Sequence, residues 1–182
     1  LIPGIRGRDL DDVITKIRRV GLDVSASSFA SGVVACTGRF GCKYASAHTK
    51  EHGGELVGYL EERFRLDQPI NIHLTGCSHS CAQHYIGDIG LLGASTEDGR
   101  EAYQVYLGGG SDHDQGIARY LAGPIAADQL PGFVESLIRT YLSRREPGET
   151  FLSFTRRHDE ATLRAMFLGQ PAAVESSMAE VA

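Results

Sequence analysis

Apolar residues recur along this chain in two periods, one helical and one extended. Leu10, Val13, Ile14, Ile17 and Val20 keep a helical stripe, with Asp9 placed to cap its start and Gly21 to stop it. Gly32-Val33-Val34-Ala35 reads as a short strand that delivers Cys36 at its end. Residues 44–65 are predicted helical, with Leu56, Val57, Leu60 and Phe64 as the apolar face, although Gly53-Gly54 weakens the pattern. Ile70, Ile72 and Leu74 alternate with Asn71, His73 and Thr75, the period of a half-buried strand. Strands at about 86–93 and 102–108 should form a hairpin around the turn Thr96-Glu97-Asp98-Gly99. A helix is expected from Asp128 to Arg144, carrying Leu130, Phe133, Val134, Leu137, Ile138, Tyr141 and Leu142, and Glu146-Pro147-Gly148 ends it. Residues 149–168 again read as helix, and the small, polar tail from Gln170 reads as disordered. With no internal repeat or linker, the pattern predicts one α+β domain, a mixed β-sheet with flanking helices.

Composition narrows the class without naming a function. Hydrophobic residues make up 42% and charged residues 23% of the 182 positions, and no apolar run approaches the roughly 20 residues that span a bilayer. A net charge of −5 argues against a general nucleic-acid binder. The charge is uneven, however: residues 1–50 hold eight Lys or Arg against four Asp, a net +4. A basic surface there would attract an anionic substrate, a carboxylate-rich cofactor or an acidic electron donor, whereas Arg18 and Arg19 read as a solvated helix face.

The cysteines carry the chemistry. There are four, in two tight pairs: Cys36 and Cys42 in a C-x₅-C, and Cys77 and Cys81 in a C-x₃-C. Thiolates bind soft metals, and the spacing lets each pair converge on one centre. A helical turn over 77–81 would place both sulfurs of that pair on one face. Two disulfides would also use four cysteines, but a chain of this size can bury a core without them, and with no charged-then-apolar leader its context reads as cytoplasmic. A Cys₄ zinc site, stabilising an interaction domain, is the rival reading, and C-x₃-C lies within zinc spacing while C-x₅-C fits less well.

The residues around the thiols are more specific. Ala35-Cys36-Thr37-Gly38 leading to Cys42, then Thr75-Gly76-Cys77 leading to Ser80-Cys81-Ala82-Gln83, then Gly87-Asp88-Ile89-Gly90-Leu91-Leu92-Gly93, resemble the cluster-binding region of the sirohaem-dependent nitrite and sulfite reductases. The match is close over about 30–95, and a looser one runs through Gly108-Gly109-Gly110 and Tyr141 to Arg157. The resemblance implies a [4Fe–4S] cluster held by Cys36, Cys42, Cys77 and Cys81, with Cys81 also ligating the sirohaem iron. It also implies that residues 1–25 end a preceding ferredoxin-like half-domain, that 26–169 form the sirohaem and cluster domain, and that 170–182 form the tail. The chain is then the C-terminal part of a longer polypeptide whose N-terminal half supplies the substrate-holding Arg and Lys residues, so the fragment alone should be incomplete as an enzyme.

Other residues carry smaller expectations. The backbone of Thr37 and Gly38 is placed to tune the cluster, with a plain turn as the alternative. His79 stands where many relatives have Asn, placed either to reach the cofactor or to cap its loop, and Gln83 matches a position often polar in nitrite reductases. Gly108-Gly109-Gly110 suits a bend after a strand, and His48, His52, His113 and His158 read as surface residues. Cys36-Thr37-Gly38 resembles the nitrite enzymes more than the Cys-Pro opening frequent in sulfite reductases. The expected activity is therefore six-electron reduction of nitrite to ammonia, with sulfite to sulfide as the alternative, fed by a ferredoxin or a flavoprotein.

Overall fold

Parallel pairing of two short strands fixes the architecture around the cysteines. In the computed structural model, which describes residues 2–22, 24–25 and 27–169, strand β1 (Val33–Ala35) pairs in parallel with β2 (Ile72–Thr75). A parallel pair needs a crossover, and helix α2 (Thr49–Arg63) supplies it. β2 pairs in parallel with β3 (Ile89–Ser95), which turns back through an antiparallel hairpin into β4 (Glu101–Leu107), and β5 (Arg119–Ala126) closes the far edge. The sheet runs β1-β2-β3-β4-β5, the mixed α+β arrangement that the sequence pattern predicts.

One face of the sheet is the main core. Ile72, Leu74, Ile89, Leu91 and Val105 are buried with Leu56 and Leu60 of α2 and Val134, Leu137 and Ile138 of α3 (Leu130–Arg144). Side chains alternate across a strand, so Gly90 faces the other way, where a Cβ would lie 1.9 Å from the His84 carbonyl oxygen. A glycine is required there because the 3₁₀ turn His84–Ile86 lies directly on the sheet.

Several expected boundaries move, each for a local reason. Asp9 does not cap the first helix, α1 (Leu10–Arg19): a 3₁₀ turn over Gly7–Asp9 precedes it, and the Asp9 carboxylate takes the Arg6 guanidinium at 2.8 Å. Gly21, at φ +81°, does end that helix, and none of the residues of α1 is buried. α2 begins at Thr49 rather than 44, since 42–48 is occupied by turns. The expected single helical stretch over 149–168 divides into α4 (Phe151–Arg156) and α5 (Glu160–Leu168), capped by the side chains of Thr150 and Asp159. β5 was not anticipated at all. The expectation for 170–182 lies outside the described residues.

Candidate metal centre

Both cysteine pairs follow the C-terminal ends of neighbouring parallel strands, the edge at which open sheets of this kind place their ligands. The Cys36 amide continues the β1 ladder by donating to the Leu74 carbonyl at 3.1 Å. Gly38, at φ +63°, then turns the chain tightly against the start of α2, where a Cβ would stand 2.6 Å from Thr49 Oγ1 and 2.7 Å from the Thr49 nitrogen. Only glycine meets both demands. The Cys42 amide returns to the Gly38 carbonyl at 3.0 Å, closing the turn between the two cysteines.

The two loops are stitched together. The Ser46 amide donates to the Gly76 carbonyl at 2.7 Å, and the Gly76 amide donates to Cys36 Sγ at 3.2 Å. Gly76 is wedged between the loops: a Cβ on it would lie 2.7 Å from Ala45 Cβ, and one on Gly93 would lie 2.6 Å from the Gly76 oxygen. The amide seen to donate to Cys36 Sγ is that of Gly76, forty residues away and brought there by strand pairing, a partner the sequence did not mark.

Cys77 and Cys81 do not share a helical turn. Ser80 and Gln83 both adopt left-handed backbone, φ 56° and 55°, so the segment folds as successive tight turns, with Ser80 N–H donating to the Cys77 carbonyl and Gln83 N–H to that of Ser80. His79 is exposed, with Nδ1 3.4 Å from Cys77 Sγ and its ring 5.2 Å from that of Tyr44. Thr37 and Gln83 are exposed, and the Gln83 carbonyl oxygen lies 3.1 Å from His73 Nδ1. His84, which sequence reasoning passed over, is buried with Nδ1 2.8 Å from Ser80 Oγ and stacks edge-on against Tyr85 and Tyr106. Burial first, then the neighbouring charge of His73, pushes its pKa below the usual value.

A second polar group braces the first loop from β4. Glu101 accepts the His48 amide at 2.8 Å, lies 2.7 Å from His48 Nδ1 and pairs with Arg39 at 3.1 Å. Burial alone would raise its pKa, but the two His48 contacts and Arg39 outweigh it and hold the carboxyl below the ordinary range. His52, with Nδ1 2.9 Å from the buried Tyr103 hydroxyl, joins the same group. His48 and His52 are therefore not simple surface residues, and neither is His158, half-buried with its carbonyl accepting from Arg119. His113 is exposed as expected. The cations near the first cysteine loop have partners: Arg39 pairs with Glu101, Lys43 lies over the Tyr44 ring, and Phe40 and Tyr44 are 91% and 59% exposed beside them.

All four cysteines are free thiols; Cys36, Cys42 and Cys77 are half-buried and Cys81 is exposed. Among the described residues no three His, Cys, Asp or Glu converge closely enough to hold one metal ion. A zinc site would need four sulfurs about 2.3 Å from a single point. A four-iron cluster takes each thiolate on a separate iron and needs no such convergence. The Thr75 hydroxyl, between the two cysteine loops in sequence and fully buried, has no hydrogen-bond partner within the protein, which suits a site where a further acceptor belongs. The donor set and this orphan hydroxyl fit an iron–sulfur group.

Comparison with known proteins agrees. The chain is 36% identical over 165 residues to ferredoxin sulfite reductase 1 of Mycolicibacterium paratuberculosis, a match covering 85% of this chain and 30% of that protein. It is 34% identical over 110 residues to the ferredoxin–nitrite reductase of Synechococcus elongatus, covering 59% of this chain and 22% of the other. The solved structure of the NirA protein of Mycobacterium tuberculosis superposes with a TM-score of 0.77 at 32% identity, over 88% of this chain and 31% of that one. These matches thus span between about a fifth and a third of the length of the relatives. The profile described as the nitrite and sulphite reductase 4Fe-4S domain matches residues 30–151, and the chain belongs to that family.

Proposed function

We propose that this chain forms the cluster- and sirohaem-binding portion of an enzyme that reduces a small oxyanion by six electrons. The observation that carries the reading is the joining of two loops, each bearing two free thiols, at one edge of the sheet by the Ser46–Gly76 and Gly76–Cys36 hydrogen bonds. Cys36, Cys42 and Cys77 are assigned as ligands of the [4Fe–4S] cluster, and Cys81, the most exposed thiol, as the ligand shared with the sirohaem iron. When bound, the pair of groups supplies one-electron storage and a metal at which the anion is polarised. This chain's residues hold the thiols in register, and the exposed Thr37, His79 and Gln83 stand on the loops where a tetrapyrrole would lie. The remainder of the polypeptide would bring the cationic residues that hold the substrate. A ferredoxin is the donor that the names of the relatives suggest.

Two substrates are supported by different observations. Sulfite is favoured by the 36% identity, over most of this chain, to a protein named as a sulfite reductase. Nitrite is favoured by the Cys36-Thr37-Gly38 opening and by the nitrite reductase match. The full polypeptide, purified anaerobically, should contain iron and acid-labile sulfide and absorb as a sirohaem protein. Its kcat/KM for sulfite and for nitrite with reduced viologen then assigns the substrate. Zinc without sulfide would sink the reductase reading.

A further inference from the structure

Thr49 is the first residue of α2 and is fully buried, yet no sequence feature marks it. Its hydroxyl donates to the Cys36 carbonyl at 2.7 Å and lies 3.5 Å from Cys36 Sγ. One proton therefore faces two acceptors of the same residue. The approach depends on Gly38, whose missing Cβ leaves room for Oγ1. On the other side of the sulfur the Gly76 amide donates at 3.2 Å. Cys36 is thus held by three elements at once: the end of β1, the start of α2 and the loop after β2. At Cys77 the neighbouring polar group is the ring of the exposed His79, Nδ1 3.4 Å from the sulfur.

We propose that Thr49 is a positioning residue for the metal centre, anchoring Cys36 through its carbonyl and acting as an adjustable donor to its sulfur. The inference rests on Cys36 being a cluster ligand. A thiolate accepts hydrogen bonds and cannot donate them, and the one hydroxyl proton is shared between the carbonyl and the sulfur according to the charge the sulfur carries. Added negative charge on the cluster spreads to its thiolates and draws the proton toward Cys36 Sγ. A donor that binds the reduced state more strongly raises the reduction potential, and the buried setting strengthens the contact. Thr49 would then favour electron uptake at the corner of the cluster nearest α2.

The test uses the full polypeptide with its cofactors, in T49V, which keeps the shape and loses the hydroxyl, and in T49S, which keeps the hydroxyl. The cluster of T49V should retain iron and sulfide and show a more negative midpoint potential by EPR-monitored titration. An exchangeable-proton coupling on the reduced cluster should disappear in T49V and persist in T49S, whose potential should stay near the parent's. If T49V loses its cluster while T49S keeps it, the anchoring role of the hydroxyl is supported. A fully loaded T49V with unchanged potential, or loss of the cluster in T49S as well, overturns the proposal. C36A is the control for the underlying assignment: full iron content and an unchanged potential in that variant would sink Cys36 as a ligand, whereas loss of iron there with an unaltered T49V sinks Thr49 alone.

Discussion

The first cysteine loop is held by groups distant in sequence, while the segment 77–84 is held mainly by its own turns. Besides their own turns, residues 36–48 bond to Gly76 and to Glu101, the latter from the far side of a hairpin, and to Thr49 at the start of the next helix. Residues 77–84 rely on two successive turns, two left-handed residues and the Ser80–His84 contact. The difference suits the proposed division of labour. A ligand that serves the cluster alone profits from a rigid frame built by the rest of the domain. Cys81, assigned to both groups, stands exposed on a locally wound segment where a second large group can approach it.

The largest effect that would test this contrast is Cys81→Ser in the full polypeptide. Losing a ligand should cost more than the 10- to 100-fold typical of outer residues, so activity should fall by more than about 100-fold. Exchange coupling between cluster and sirohaem, read by EPR or Mössbauer spectroscopy, should vanish even where iron is retained. Cys36→Ser should instead lower iron and sulfide content. Coupling that persists in Cys81→Ser but vanishes in Cys77→Ser with the cluster intact would show that the bridge has been assigned to the wrong cysteine.

Asp88 ends the connection that carries the second pair and gives a sizeable effect on stability. Burial drives its carboxyl up to about 6 from 3.8, although the Asn71 amide and Arg156 pull the other way. Below 3.8 both folded and unfolded chains hold the proton. Between 3.8 and about 6 only the folded chain holds it, so stability falls as pH rises, by on the order of 3 kcal/mol in total, and stays reduced above that window. Asp88→Asn keeps an acceptor for the Asn71 amide and removes the titration. Urea unfolding at pH 4 and pH 7 should show a larger loss of stability toward pH 7 in the parent than in the variant, since the titrations of Glu101 and His84 are common to both. Equal declines in both would mean that the penalty lies elsewhere.

What the sequence revealed follows the range of the interactions involved. The cysteine pairs, the alternation of β2 and the stripe of α3 are local patterns, and all three were legible. The start of α2 was not, because the His48 amide is satisfied by Glu101, fifty-three residues away. β5 was hidden because Gly123 and Pro124 break its alternation and its register with β4 shifts twice. The helical turn expected over 77–81 is broken at Ser80, which takes a left-handed backbone and places its hydroxyl 2.8 Å from His84 Nδ1. Thr49 and Gly76 were invisible as partners of Cys36 because each arrives through the parallel crossover.

Glu101→Ala sharpens the contrast between the loops directly. It removes the acceptor of a half-buried amide, which should cost about 1–3 kcal/mol in denaturant unfolding at pH 7. Hydrogen exchange should quicken over 36–48 and remain unchanged over 77–84. Since the carboxyl is held below its ordinary pKa, its contribution is present above the unfolded value of 4.5 and is lost as pH falls through the folded one, so parent and variant should converge in acid. Faster exchange in both segments alike would show that the loops form a single cooperative unit.

The smallest expected effect isolates the local support of the second segment. Ser80→Ala leaves the left-handed backbone as strained as before, since alanine tolerates φ 56° no better than serine, and removes only the contact with His84. With its pKa held below 6.5, chiefly by burial, His84 is neutral at pH 7.5, and the contact of its Nδ1 with Ser80 is worth about 1 kcal/mol. Urea unfolding at that pH should show a loss of this size, with quicker exchange confined to 77–84. The same logic gives the sign in acid: a histidine whose folded pKa lies below 6.5 withdraws stability as pH falls past that value, in the parent as in the variant. If Ser80→Ala also loosened residues 36–48, the Ser46–Gly76 stitch would have to transmit strain between the loops, and the division between distant and local support would not hold.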